Sequence, residues 1–284
     1  MLKLRWTFLV VVLLYGLGSP AWAAEPKFSA PKSFTLGLGD SLMFGYQEAK
    51  FATNPFDLTQ FHTGFAFLFA ERVAETAPGN GTALINLGCP GETTRSFLDG
   101  PCAYHSVGLP LHVNYGGSQM DMAEAILDVH RGQVSPILIS LGANDVLGIV
   151  APQVCGLDHR CIGAALPCIL ASVGANLNAA LGRLRAAAPD AEIIILQYYN
   201  PLAVIDSSMN ALLVSLNAVI GSVAAAHRAR VADAFPAFNL APQPTTLCGL
   251  TLFCTAGDIH ASDDGYQLIS DLFFEAAGFT LFEH

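Results

Sequence analysis

The chain has 284 residues, 52% of them hydrophobic and 13% charged, a composition that buries a large core and excludes a mostly disordered polymer. Its formal net charge is −10. A balance this acidic argues against nucleic acid as a partner, because phosphate contacts need clustered Lys and Arg.

Lys3 and Arg5 precede an apolar run from Phe8 to Leu17, and Ala21-Trp22-Ala23 offers small residues where a signal peptidase cuts. This pattern predicts a signal peptide over residues 1–23 and one domain over 24–284, in a secreted or periplasmic protein. The run is short for a bilayer span and no second candidate follows, so no stable membrane anchor is expected. Phe34 to Leu38 reads as a first strand, ending at Gly39. Thr63 to Ala77 reads as a helix stopped by Pro78-Gly79, and Ala83 to Leu87 as a second strand. An amphipathic helix follows over Gln119 to His130, then a strand over Pro136 to Leu141. An Ala-rich helix spans about Leu170 to Ala188, and the β-branched run Ile193 to Tyr198 is a fourth strand. Ser208 to Arg228 is helical, Val231 to Ala234 a short fifth strand, and Asp264 to Ala277 a last helix. Strands alternating with helices imply a parallel sheet of about five strands in an α/β fold. Two long segments, Gly91 to Gly117 and Asp145 to Cys168, read as loops.

Seven Cys are present. In an exported chain, neighbouring Cys read first as disulfides, which predicts Cys89–Cys102, Cys248–Cys254 and one bridge among Cys155, Cys161 and Cys168. Spacing does not choose the pair within that trio. No CxxC pair suggests zinc, and no metal is expected.

Four short motifs carry the chemistry: Gly39-Asp40-Ser41-Leu42, Asn86 with Gly91, Asn144, and Asp258 with His260. Ser41 follows the first strand, where ligands bind in open α/β sheets. Gly and Asp before it also fit an ordinary turn. A neutral His260 can take the Ser41 proton, and Asp258 can hold the far ring nitrogen. Asn144 and the Gly91 amide follow two further strands and can donate to a developing oxyanion. Each motif alone is weak; their convergence on one sheet edge is the signal.

The four blocks together resemble the SGNH hydrolases, also called GDSL esterases and lipases. Gly39-Asp40-Ser41-Leu42 is similar to the family's first block, Asn86 to Thr93 to its second, Gly142-Ala143-Asn144-Asp145 to its third and Asp258-Ile259-His260 to its last. Ala261 stands where a proline usually follows the histidine. The resemblance implies a flavodoxin-like α/β/α sandwich. It implies Ser41 as nucleophile, His260 as base and Asp258 as acid. It also implies an oxyanion hole from the Ser41 and Gly91 amides and the Asn144 side chain, with Asp40 holding the turn and no cofactor. The expected activity is hydrolysis of small-molecule or lipid esters through an acyl-serine, by a monomer. The alternatives are a carbohydrate O-acetyl esterase on the same scaffold, or a non-catalytic binding or surface protein.

Phe44, Tyr46, Phe51 and Phe56 follow the nucleophile. Phe44 and Tyr46 are candidate substrate contacts, and a loop packed on the core explains the cluster equally well. Phe61, Phe65 and Phe69 recur as a core-facing helix stripe. His105 and His112 fit either a metal pair or plain exposed loop histidines.

Overall fold

The computed structural model describes residues 30–76, 82–242 and 244–279. The signal peptide expected over residues 1–23 lies outside these. Five strands form the sheet: β1 (Phe34–Gly39), β2 (Ala83–Asn86), β3 (Val134–Ser140), β4 (Ile193–Gln197) and β5 (Arg230–Asp233). Their order is β2-β1-β3-β4-β5, and every pairing is parallel. In register, Leu36 pairs Ile85, Leu38 pairs Ile139, Leu138 pairs Ile194 and Ile195 pairs Val231. Such continuous aliphatic runs require cover on both faces.

The helices supply that cover. In chain order they are α1 (Ser41–Phe44), α2 (Glu48–Thr53), α3 (Phe65–Thr76), α4 (Thr94–Asp99), α5 (Ala103–Ser106) and α6 (Gln119–Val129). Then come α7 (Ala143–Leu147), α8 (His159–Ala187), α9 (Asn210–Ala226), α10 (Thr245–Leu250), α11 (Phe253–Ala256) and α12 (Asp263–Ala276). α3 and α12 cover one face of the sheet; α6, α8 and α9 form the layer on the other. The result is a three-layer α/β/α sandwich. Strand order reverses between β1 and β3, which opens a crevice beyond their carboxyl ends.

The aromatic stripe serves the α3–α12 layer. Phe61 lies in a 3-10 turn (Leu58–Phe61) just before α3, and Phe65 and Phe69 lie on α3 itself; all three are fully buried. Phe65 stacks on Phe273 of α12 with centroids 4.8 Å apart, and the Arg72 guanidinium sits 3.8 Å over the Phe274 ring.

Two segments differ from the sequence reading. The helix expected from Leu170 begins at His159, because the Asp158 carboxylate caps its first amides and Cys155–Cys161 fixes its start. Pro167 lies inside this helix, where an internal proline removes one backbone bond and strains one turn. The two long segments also contain α4, α5 and α7. By length and composition, α8 and the segment Ser207–Ala226 could each cross a membrane, so candidate spans do follow the N-terminal apolar run. Here they turn Leu177, Leu181, Leu184, Leu216 and Ile220 into the core.

Phe273→Ala should lower the unfolding free energy by about 3–5 kcal/mol, as expected for a fully buried aromatic with tight neighbours. Urea unfolding measures it; a loss under about 1 kcal/mol would contradict this packing.

Candidate active site

Ser41 is the first residue of α1, directly after β1. Asp40 caps this turn: its Oδ1 accepts the Leu42 N–H at 3.0 Å. The same oxygen accepts the Ser140 hydroxyl at 2.8 Å, and Oδ2 accepts the Tyr198 hydroxyl at 2.6 Å. Gly39 has φ +128°, and a Cβ there would lie 1.8 Å from the Ser140 carbonyl, so only glycine fits against β3. Gly45 closes the turn in the left-handed region. Asn86, at the end of β2, donates to the Met43 carbonyl at 2.8 Å and so braces the turn from the other side.

His260 lies between α11 and α12. Its Nε2 is 2.9 Å from Ser41 Oγ, and its Nδ1 is 2.5 Å from Asp258 Oδ1. Asp258 also accepts the amides of His260 at 3.1 Å and Glu48 at 2.8 Å. Burial works to raise the Asp258 pKa, but His260 and these amides outweigh it and hold the carboxyl below the ordinary range. The segment is clamped on several sides. Thr251 bridges Ala261, Gln47 donates to the Ala261 carbonyl at 2.9 Å, and Tyr199 donates to the Ile259 carbonyl at 3.0 Å. Ala261, in the place of the usual proline, is fully buried. Ser262, not Asp258, caps α12.

Asn144 is the second residue of α7, after β3. Its Nδ2 donates to the Glu92 carbonyl at 2.9 Å, which leaves its second N–H for another acceptor. Gly91 adopts φ +82° after β2, exposed, with open space where a side chain would be. Ser41, Asn144 and His260 border one apolar cleft, whose walls include Val146, Leu147, Leu202, Leu212 and Leu213. No periodicity or motif marks those residues, so sequence reading missed them.

Several predicted residues fall elsewhere. Phe44 is fully buried beneath the turn, with its ring 4.9 Å from Phe61, and it does not line the cleft. Tyr46 is also buried and outside the cleft lining, with its ring 4.9 Å from the His260 ring. Phe56 is exposed. His112 is not a solvent-facing loop histidine: it is largely covered and its Nε2–H donates to the Phe44 carbonyl at 2.9 Å. The disulfides are Cys89–Cys102, Cys155–Cys161 and Cys248–Cys254, with Cys168 free and exposed. Three bridges suit an oxidising, extracellular setting.

The sequence matches the model of the GDSL-like Lipase/Acylhydrolase family over residues 38–268. No curated protein sequence matches the chain. An acetylxylan esterase from Geobacillus stearothermophilus superposes over 88% of this chain and 96% of its own, with TM-score 0.60 and 16% identity. A putative GDSL-like lipase from Parabacteroides merdae does so over 89% and 99%, with TM-score 0.59 and 15% identity. An α/β hydrolase enzyme from the metagenome of Lake Arreo, Spain, gives 88%, 97%, 0.58 and 20%. At these identities the likeness is one of fold.

Burial lowers the His112 pKa from 6.5 to about 4, only partly opposed by its bond to Phe44. The neutral ring is the folded form, so its contribution to stability is present above pH 6.5 and is lost as pH falls toward 4. His112→Gln keeps a donor for Phe44 without the titration. Its urea midpoint should therefore fall less than the wild type's across that window; parallel curves would contradict the assignment.

Proposed function

The chain belongs to the GDSL-like lipase/acylhydrolase family, and from that premise we propose that it is an exported serine hydrolase of carboxylic esters acting through an acyl-serine. The observation that carries this is the unbroken Ser41–His260–Asp258 chain of hydrogen bonds at the mouth of an apolar cleft.

In this reading, His260 Nε2 takes the Ser41 proton as Oγ attacks the ester carbonyl. The ionised Asp258 holds the Nδ1–H and stabilises the imidazolium that forms. Charge on the carbonyl oxygen is met by the Ser41 amide, which heads α1 with no intrahelical acceptor, and by the Gly91 amide and Asn144. His260 returns the proton to the departing alcohol. Water, deprotonated by the same ring, then releases the acid. The aliphatic walls at Leu202, Leu212 and Leu213 favour a hydrophobic acyl group over acetate on a carbohydrate. Export rests on the basic start and apolar run of residues 1–23, together with the disulfides.

Ser41→Ala should abolish hydrolysis of aryl acyl esters by the purified protein, and activity that survives it would overturn the reading. Asn144→Ala should lower kcat by about 10²–10³. In a chain-length series kcat/KM should rise beyond acetate; a maximum at acetate, with release of acetate from acetylated polysaccharide, would favour the deacetylase instead.

A further inference from the structure

The three groups assigned to the oxyanion come from separate segments: Ser41 after β1, Gly91 after β2 and Asn144 after β3. One buried side chain outside the triad joins them. Gln119, the first residue of α6, is 1% exposed. Its Oε1 accepts the Gly39 N–H at 2.5 Å, and its Nε2 lies 3.0 Å from the Gly39 carbonyl. The same Nε2 lies 3.0 Å from Glu92 Oε2 and 3.2 Å from the Tyr115 hydroxyl oxygen. Tyr115 in turn donates to the Leu87 carbonyl at 3.1 Å. Glu92 is fully buried; its second oxygen accepts the Ser96 hydroxyl at 2.5 Å, and its main-chain carbonyl accepts Asn144.

We propose that Gln119, acting through Glu92, is the positioning residue of the oxyanion site. The proposal rests on the ester-hydrolase reading above. The β1–β2 register ends at Gly37 and Asn86, so beyond it the Gly39 peptide groups have no ladder on that side. Buried peptide groups must find partners. Gln119 supplies one for each, beside the Cys89 amide, which donates to the Gly39 carbonyl at 2.9 Å. This fixes the peptide that leads into Asp40 and Ser41.

The amide's remaining donor capacity holds Glu92, and Glu92 follows Gly91 directly. Two converging donors, Gln119 and Ser96, accommodate a buried carboxylate. Burial still pushes the Glu92 pKa up to about 7, so its ionised form depends on those donors. The Glu92 carbonyl then orients Asn144, which borders the cleft. Loss of Gln119 would displace the oxyanion donors without deleting any of them. That predicts a fall in kcat with little change in KM, since the apolar cleft binds the acyl group in ground and transition state alike.

The test uses wild type, Gln119→Leu and Glu92→Gln, each titrated with an organophosphonate so that kcat is counted per reactive serine. Wild type should turn over aryl esters and Ser41→Ala should not. Gln119→Leu should then show kcat per titrated serine lower by about 10²-fold, the scale of a misplaced catalytic geometry, with KM little changed. Glu92→Gln keeps the shape but offers one acceptor to two donors, and should lose kcat in the same sense by a smaller factor. It decides the matter if the leucine variant does not fold. A purely structural role would lower the thermal midpoint or the titratable fraction and leave kcat per serine at the wild-type value, which would overturn the proposal. A wild type inactive on esters would overturn the functional reading, and this one with it.

Discussion

Asp40 locks the strand ends together. Its carboxylate is 1% exposed and takes donors from its own turn, from Ser140 at the end of β3 and from Tyr198 beyond β4. Burial raises its pKa, and the donors pull it back. A buried carboxylate without partners would cost several kcal/mol, while each bond to a charged acceptor contributes about 1.5–3 kcal/mol. The turn that presents Ser41 is therefore a property of three strands. It forms where β1 and β3 approach so closely that Gly39 has no room for a side chain.

Four carboxylates around this edge have been given different characters by their surroundings. Asp258 faces a histidine and two amides, which hold its pKa down despite burial. Glu92 and Asp40 meet neutral donors in a drier setting, and both are shifted upward. Asp145, beside Thr94, is also raised by burial despite two bonds from that residue. The cleft that Ser41, Asn144 and His260 border is lined as well by the aliphatic Val146, Leu147, Leu202, Leu212 and Leu213. On the proposed reading, charge is thus arranged where the reaction would develop it.

Much of this was legible in the sequence, for particular reasons. Buried parallel strands are uniformly aliphatic, so Ile193 to Tyr198 and Pro136 to Leu141 declared themselves to within two residues at each end. Ser41 and Asn144 follow strand ends, and Asp258 and His260 share one short loop motif, so the sequence alone could place these four together. Cys89, Cys102, Cys248 and Cys254 paired as neighbours, whereas the choice of Cys161 over Cys168 as the partner of Cys155 needed the helix that carries both. What stayed hidden is tertiary. Phe44 and Tyr46 are near Ser41 in sequence but turn beneath it. Leu202, Leu212 and Leu213 are far in sequence yet border the cleft. Gln119 reads as an ordinary polar residue opening a helix; only the peptide it faces gives it a role.

The bond between His260 and Ser41 spans 219 residues of sequence. The strand that leads into Ser41 is made early in synthesis and His260 late, and parallel pairing adds further long-range closure, which slows folding. A partly folded chain can therefore have the Ser41 turn formed while His260 is still undocked. On the proposed reading, activity requires the segment that follows Cys248–Cys254 and carries His260 to be docked against the turn after β1. The proposed chemistry is thus tied to completion of the fold, because the two side chains meet only when both ends of the domain are in place.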